Sequence, residues 1–287
     1  MEIIIENTLE KPRHARYIII GYSRSGTTVV HLAIAGHPNV VALNDEMRIV
    51  PFFTKGISTF THGNDLPEEK EKGYSALFDA LTSLRTSENL KARGIKIACN
   101  DYAQACVFVD VLQNHLKDIK VIIMHRRDMV ALYGSGQHGK KSGVMHSWYK
   151  GAESIAVNKI KISKWRFIAF FVRVNKMYEM IGKLTDTHDV LEVNYEDLLV
   201  NPSEEYHKIF SFLNLPNVEP VWLASKKVLP PPSEYITNYD DITLLIDKLE
   251  KGTVSESVIW TSRLLNHLSW RFSTFFPHLF KRKSKLR

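Results

Sequence analysis

The sequence predicts an α/β protein built in three layers, with helices on both faces of a central parallel sheet. Three observations support this prediction. Short runs of β-branched residues alternate with helical patterns, polar side chains follow the end of each run, and the first run leads through a glycine-rich turn into a helix. With 287 residues the chain can bury a sizeable core, and we expect one main domain.

Four segments have the composition of buried strands. The first, RYIIIGY, ends at Tyr22, and the TTVVHLAIAGHP stretch after it predicts a helix closed by Gly36 and Pro38. The other three segments lie at residues 92–101, 118–128 and 188–197. A helix-like stretch follows each of them, so we expect parallel strands with ligands bound at their carboxyl ends.

The main domain is expected to span residues 1–252 and to be followed by a separate tail, residues 253–287. A polar insertion at about residues 54–94, helical in its second half, is expected to interrupt the domain after the first helix. Pro230 to Pro232 predict a rigid extended segment before the final helices.

The tail is basic and amphipathic. It holds seven Lys or Arg residues against Glu256 alone, and therefore +6 of the net charge of +7. Apolar side chains recur in it at close to helical spacing, at Trp260, Leu264, Leu268, Phe272, Phe276 and Leu279. Such a helix can lie on an anionic membrane surface, although packing on the domain or on a second subunit is the commoner use. Because the rest of the chain is nearly neutral, we expect no nucleic-acid partner.

The ends and the cysteines indicate a cytoplasmic protein, with peripheral membrane contact left open. No cationic segment precedes a long apolar run at the N-terminus, which argues against an ordinary secretory signal. No apolar stretch is long enough to span a membrane. Cys99 and Cys106 form neither a metal-binding pattern nor a disulfide framework.

The turn after the first strand is predicted to bind an anion. In GYSRSGTT, Gly21 and Gly26 have the spacing of a phosphate-binding P-loop, which presents backbone amides and the positive end of a helix dipole. Side-chain donors concentrate in the same turn, at Arg24, Ser25, Thr27 and Thr28. A tight turn without a ligand is the alternative, but this density of donors favours an anion.

Thr27 stands where nucleoside triphosphatases carry the P-loop lysine, which reaches the β and γ phosphates. Asp128 follows two arginines and is a poor neighbour for a metal cation. The sequence therefore predicts an anion bound without a metal ion.

A second anion site is predicted in VIIMHRRDMVALYGSG. Ser135 follows Arg127 by eight residues, so a helix between them lets both side chains reach one phosphate. The alternative is that Arg126 and Arg127 are solvated or pair with Asp128. Together with the glycine-rich turn, a second site of this kind makes a nucleotide with two phosphate groups plausible.

Three motifs, in the same order, resemble those of the sulfotransferases that use 3'-phosphoadenosine 5'-phosphosulfate (PAPS). YSRSGTT is similar to the family's 5'-phosphosulfate loop, HRRDMVALYGS to its 3'-phosphate motif, and NYEDLLVNPSEEYHKIFSFLNLP to its tyrosine-containing segment. The resemblance runs from about Tyr17 to Pro216 and implies a P-loop NTPase-like sulfotransferase fold. HPNVVALNDEMRIVPFF also resembles the acceptor-side stretch of the tyrosylprotein branch.

The resemblance implies roles for individual residues. It assigns the 5'-phosphosulfate to Arg24, Ser25, Gly26, Thr27 and Thr28, the 3'-phosphate to Arg127 and Ser135, and a nucleotide contact to Tyr195. Many members of the family carry a catalytic lysine in the loop, where this chain has Arg24, or after the second strand, where it has CNDY. Lys96 is the candidate substitute, although a strand lysine facing solvent is an equal alternative.

The expected reaction is in-line transfer of the sulfuryl group of PAPS to an acceptor hydroxyl of a saccharide or specialised small metabolite. It yields 3'-phosphoadenosine 5'-phosphate (PAP) and requires no metal. The branch resemblance makes Glu46 the base for the acceptor proton, and a surface ion pair with Arg48 is the alternative. Arg24 and the loop amides would stabilise the leaving phosphate.

Other interpretations remain open at this point. An ATP-dependent kinase is one alternative function, which Thr27 opposes, and a non-catalytic nucleotide-binding homologue is another, which the missing lysine motivates. His125 is a further catalytic candidate at a strand end, although a lone histidine there is more often structural. Glu196 and Asp197 are alternatively caps of the helix that follows.

Overall fold

The chain folds into two compact units. The first, which we call the sheet unit, consists of Met1–Arg127 and Met177–Ala224, and the second, the helical unit, consists of Asp128–Lys176 and Ser225–Arg287. The computed structural model describes residues 14–43, 89–142, 157–219 and 229–264. The boundary between a main domain and a tail at residue 252 stays a prediction.

The sheet unit is built on five parallel strands. Their bounds are β1 Ala15–Tyr22, β2 Val40–Leu43, β3 Ala92–Cys99, β4 Ile119–His125 and β5 Val190–Asn194. The order across the sheet is β2-β3-β1-β4-β5, and every neighbouring pair is parallel. The four predicted strands and their direction are confirmed, and β2, a four-residue strand, was not predicted.

Helices follow the strands, as expected for crossover connections in a parallel sheet. The helices are α1 Thr27–Ala35, α2 Tyr102–His115, α3 Met129–Ser142, α4 Lys164–Gly182, α5 Tyr195–Val200, α6 Pro202–Phe212, α7 Pro232–Tyr235 and α8 Tyr239–Glu250, with a 3-10 turn at Lys183–Asp186. A further helical stretch, α9, covers residues 256–264. The predicted helix after the first strand is confirmed and ends before Gly36.

Two hydrophobic cores, one on each face of the sheet, make the sheet unit three layers thick. Ile18 and Ile20 of β1 pack with α2 and the end of α4 on one face. Tyr17 and Ile19 pack with α1 and α6 on the other face. Because both faces are covered, β1 carries the uninterrupted buried apolar run Tyr17 to Ile20 rather than an alternating pattern, and the predicted three-layer fold is confirmed.

Gly94 in β3 makes room for the ring of Tyr17 on the neighbouring strand. The two residues are direct partners in the β1–β3 ladder, and Tyr17 is fully buried. A Cβ atom at Gly94 would lie 2.5 Å from ring carbons of Tyr17. The aromatic ring therefore occupies the space that any other residue at position 94 needs.

An aromatic cluster forms the centre of the helical unit. Tyr133 of α3 lies edge-on to Phe167 and Phe170 of α4, with ring centroids 5.5 and 4.9 Å apart. The Asn238 side chain closes the unit by donating to the Ile162 carbonyl and accepting from the Ile162 amide, both over 2.9 Å. Pro231, with φ −50° and ψ 142°, has the predicted extended conformation, whereas Pro232 is the first residue of α7, so the extended segment ends one residue earlier than predicted.

The described part of the tail exposes its apolar side chains. Trp260 is 63% exposed and Leu264 is 40% exposed, and the other four positions of the predicted stripe lie outside the described residues. Among the residues that the structure describes, no helix is long and apolar enough to cross a membrane. The insertion at residues 54–94 also lies largely outside the described part, and residues 92–94 belong to β3.

Gly94→Ala is expected to destabilise the protein by about 1–3 kcal/mol, because the added methyl group forces the Tyr17 ring or the β1–β3 pairing to move. Chemical denaturation of the variant measures this loss. Gly182→Ala is the matched control, since a Cβ there meets nothing within 4 Å and the residue has helical angles. Equal stability of the Gly94→Ala variant and the wild-type protein would contradict the steric argument.

Candidate functional site

The loop between β1 and α1 adopts a left-handed conformation. Arg24 has a φ of 77° and Gly26 a φ of 100°, a region that residues with side chains rarely adopt. The Ser25 amide donates to the Tyr22 carbonyl over 3.0 Å and closes the turn. α1 begins at Thr27, and the Val29 and Val30 amides both donate to the Gly26 carbonyl, so the amides that this helix start offers to a ligand are those of Gly26, Thr27 and Thr28. The loop is therefore built to present donors at the carboxyl end of β1.

Tyr195, the first residue of α5, packs directly on this loop. A Cβ atom at Gly26 would lie 2.6 Å from Cδ2 of the Tyr195 ring. Glycine at position 26 is thus required twice, by its positive φ and by the aromatic ring that covers it.

Arg126, directly after β4, binds the same loop. Its Nη1 donates to the Arg24 carbonyl over 3.0 Å, and its guanidinium carbon lies 4.9 Å from the centroid of the Tyr195 ring. Burial lowers the pKa of Arg24, and the charge of Arg126 lowers that pKa further. Two cationic groups are therefore held close enough to disfavour each other, which is the electrostatic setting of an anion site.

A hydrogen-bonded tyrosine, Tyr178, contacts the end of β1 from the face of the sheet that carries α2. The Tyr178 hydroxyl accepts from the Tyr22 amide over 3.3 Å and donates to the Met124 carbonyl over 2.8 Å. It thereby joins the ends of β1 and β4, the two strands that carry the loop and Arg126. Burial raises the pKa of Tyr178 to about 12, so the phenol stays protonated and can donate.

Arg127 makes its contacts with two carboxylates at the start of α5. Its guanidinium forms ion pairs with Glu196 and with Asp197, and its amide donates to the Glu196 carboxylate over 3.1 Å. The Asp197 carboxylate also accepts from the Asn194 side chain over 3.1 Å. Glu196 and Asp197 thus bind an arginine instead of capping α5, whose start has no side-chain cap.

The comparisons with known proteins agree with the three motifs. The model of the family described as "Sulfotransferase family" matches residues 17–220, which is most of the chain. The chain belongs to the sulfotransferase family. No curated protein sequence matches it significantly.

Solved sulfotransferases share similarity with this sulfotransferase at low identity. The sulfotransferase domain of the Synechococcus PCC 7002 olefin synthase is 18% identical, with 86% of this chain and 97% of that chain covered and a TM-score of 0.44. Mouse sulfotransferase SULT7A1 complexed with PAP is 14% identical, with coverages of 88% and 90% and a TM-score of 0.45. A sulfotransferase from Alicyclobacillus acidocaldarius is 14% identical, with coverages of 86% and 98% and a TM-score of 0.42.

Lys96 of the sulfotransferase is buried. Its side chain is 2% exposed, so the alternative that it faces solvent is wrong. Ile95 and Ile97 pack in the core that contains α2, and because side chains alternate along a strand, Lys96 points to the face that carries α1. It pairs in register with Ile19 of β1. A catalytic role for it stays a prediction.

The polar residues after β3 start a helix. The Asp101 carboxylate accepts from the Gln104 amide over 2.9 Å, and the Gln104 side chain accepts from the Asn100 amide over 2.8 Å. This arrangement is similar to a capping box, with the Gln104 side chain bonded to the amide one residue before the N-cap, so Asn100 and Asp101 have a local structural role at the start of α2.

The structure describes Ser135 and Asp128 of the predicted second anion motif. The residues from Met129 to Ser135 are helical, as the spacing of the second anion motif required, and Ser135 is buried in α3. Arg127 lies in the sheet unit and Ser135 in the helical unit, so their joint binding of one phosphate stays a prediction. Asp128 caps α3 by accepting from the Ala131 amide over 2.8 Å. Glu46 lies outside the described residues.

Two residues of the site were not predicted from the sequence. The motifs give Arg126 no role separate from that of Arg127, and Tyr178 lies within the largely apolar pattern of α4. The sequence signal for Arg126 is its position beside Arg127 directly after β4, at the edge where the predicted anion-binding residues lie. Nothing comparable marks Tyr178, whose hydroxyl matters only once β1 and β4 are paired.

His125 stacks on Tyr178, with ring centroids 4.6 Å apart, and its Nε2 lies 3.5 Å from the Glu192 carboxylate. Burial lowers the pKa of His125, and the charge of Glu192 partly opposes this effect. The lowered pKa favours the neutral imidazole at pH 7. A catalytic role for His125 stays a prediction.

We expect Glu192→Gln to lower the pKa of His125 further, because the variant removes the charge that favours the protonated ring. NMR titration of the imidazole resonances measures the shift. Glu204→Gln, which removes a carboxylate paired with Lys208 on α6, is the control and should leave the His125 titration unchanged. A rise in the His125 pKa in Glu192→Gln would contradict the assigned cause.

Proposed function

We propose that this sulfotransferase transfers the sulfuryl group of PAPS to an acceptor hydroxyl. The observation that carries the proposal is the left-handed loop, in which Arg24 and Gly26 are fixed by Arg126 and Tyr195 at the carboxyl end of the central strand. Membership of the sulfotransferase family supplies the reaction class. The charge and the donors of the loop supply the reason for a phosphosulfate as the ligand.

The residues of the loop fit the 5'-phosphosulfate. Gly26 carries no side chain, so an anion can approach its backbone amide and those of Thr27 and Thr28 closely, and the Tyr195 ring occupies the space that a Cβ atom would need. Ser25 and Thr27 are buried beside the start of α1 and add hydroxyl donors, and Thr28 follows them at the helix start. We assign this group of residues and Arg24 to the 5'-phosphosulfate.

We assign the 3'-phosphate to Arg127 and Ser135 and the nucleotide contact to Tyr195. Arg127 is 59% exposed and held by two carboxylates, so a phosphate bound there replaces or joins an existing ion pair. Such exposed pairs contribute about 0–1 kcal/mol each, which makes their exchange for a phosphate inexpensive.

When bound, PAPS supplies a sulfuryl group whose bond to the 5'-phosphate oxygen breaks as the acceptor oxygen bonds to sulfur, giving a sulfate ester and PAP. Arg24 and the amides of α1 stabilise the charge on the departing phosphate. Glu46 takes the proton of the acceptor hydroxyl, and Lys96 provides further positive charge from the face of α1. No metal ion is required for these roles.

The acceptor is a saccharide or a specialised small metabolite that carries a hydroxyl group. The insertion at about residues 54–94 contributes to its binding, since it joins β2 to β3 next to the predicted base. A screen of hydroxyl-bearing compounds with labelled PAPS identifies the accepted class.

PAP is expected to raise the melting temperature of the wild-type protein at saturating concentration, because binding to the folded state alone stabilises it. Gly26→Ala should remove this shift, since the added methyl group meets the Tyr195 ring and strains a position with φ 100°. Thermal melting with and without PAP measures both. Gly252→Ala, which has φ 65° but open space around it, is the control for strain alone.

The absence of any shift with PAP would overturn the proposed donor. Magnesium-dependent consumption of ATP would favour the kinase alternative, and PAP binding without transfer to any acceptor in the screen would favour a non-catalytic homologue.

Glu46→Gln is expected to lower kcat by roughly 100- to 10,000-fold with an accepted substrate, because the amide cannot take the acceptor proton. PAP affinity, measured by calorimetry, should stay at the wild-type value. Asp45→Asn is the matched control, since it removes the neighbouring carboxylate and should retain turnover. Unchanged turnover in Glu46→Gln would exclude this residue as the base.

A further inference from the structure

We propose that Arg126 is a second arginine of the 5'-phosphosulfate site, which fixes the loop through the Arg24 carbonyl and adds its charge to that of Arg24. The inference rests on the proposed function and gives the site a residue that the motif comparison leaves without a role. It also divides the two consecutive arginines after β4 between the two ends of the donor nucleotide.

The two arginines follow β4 directly and make different contacts. Arg126 contacts the β1–α1 loop, whereas Arg127 contacts two carboxylates at the start of α5. Their charges are therefore used differently. That of Arg127 is balanced by Glu196 and Asp197, while Arg126 lies against a carbonyl group and an aromatic ring.

The bond from Arg126 to the Arg24 carbonyl acts at a strained point. Arg24 is a residue with a side chain in the left-handed region, which costs about 1–3 kcal/mol unless the surroundings hold it there. A guanidinium donating over 3.0 Å to the carbonyl of that same residue helps to hold it. Because the backbone of Arg24 is held in the left-handed region, the direction in which its side chain leaves the backbone is also fixed.

Tyr195 gives the arrangement its second contact. One part of its ring lies against Gly26, and the guanidinium of Arg126 lies 4.9 Å from its centroid. The loop is thus contacted at two residues, at Arg24 by Arg126 and at Gly26 by the Tyr195 ring, and these two side chains also contact each other. A planar guanidinium can donate and stack at once, which a lysine ammonium cannot do.

The charges of the site favour a divalent or more highly charged anion. Arg126 lowers the pKa of Arg24, so the two guanidinium groups repel each other in the free protein. An anion that binds between the loop amides and both guanidinium groups relieves this repulsion. A phosphosulfate, with a charge on each of its two halves, suits two arginines better than one.

The test compares Arg126→Lys with the matched variant Arg127→Lys, using PAP and adenosine 5'-phosphosulfate, which lacks the 3'-phosphate. Calorimetry on the full chain gives the four affinities relative to the wild-type protein. We expect Arg126→Lys to weaken both ligands by roughly 10- to 100-fold, because the lost fork acts on the 5' end that both share. Arg127→Lys should weaken PAP alone.

Equal losses for the two ligands in Arg126→Lys support the inference. Unchanged affinity for both ligands, or a loss confined to PAP, overturns it, since the latter places Arg126 at the 3'-phosphate. Failure of the wild-type protein to bind PAP overturns the proposed function together with the inference that rests on it.

A second variant keeps the test decisive if Arg126→Lys folds poorly. Tyr195→Leu leaves both arginines in place but removes the ring surface under Arg126, and Tyr195→Phe retains that surface. We expect Tyr195→Leu to weaken adenosine 5'-phosphosulfate at least several-fold and Tyr195→Phe to bind it like the wild-type protein. Wild-type affinity for adenosine 5'-phosphosulfate in Tyr195→Leu overturns the inference.

Discussion

The parallel pairing of β1 with both of its neighbours is the constraint on which the candidate site depends. It aligns Tyr22 with Cys99 of β3 and Gly21 with Met124 of β4, so the loop after β1 emerges beside the residues that follow β4. Because β1 is buried on both faces, its end cannot shift without disturbing two cores. The loop therefore starts from one of the most rigid points of the sheet unit, which is what a preorganised anion site needs.

The positive charge at this loop comes from arginine side chains in the loop and after β4, and not from a lysine at the start of α1. Position 27, where a triphosphatase carries its lysine, is a buried threonine, and the two guanidinium groups come from within the loop and from the end of β4. A lysine on the first turn reaches along a chain of phosphates. Two arginines at the turn itself concentrate charge over a shorter distance, so the geometry suits a compact anion at the helix N-terminus.

Much of this architecture could be predicted because strong local patterns coincide with it. Runs such as RYIIIGY are buried on both faces and therefore read as continuous apolar strands, and α1 ends where Gly36 indicates. β2 escaped because a four-residue strand has too little pattern of its own. The direction of the Lys96 side chain and the ion-pair partners of Arg127 could not be predicted from the sequence for another reason. Both depend on which strands are neighbours, and that pairing is a property of the tertiary fold rather than of spacing.

The two carboxylates on Arg127 give the proposed 3'-phosphate site a different character from the proposed 5'-phosphosulfate site. Arg127 is largely exposed, so its ion pairs with Glu196 and Asp197 are screened by water and cost little to exchange. Asp197 also keeps a hydrogen bond from Asn194, so it remains satisfied when the guanidinium turns to a phosphate. The two ion pairs keep the Arg127 guanidinium near the start of α5, and they can be exchanged for other anionic partners. In the proposed assignment, one end of the donor meets a fixed loop, and the other meets an arginine that exchanges partners.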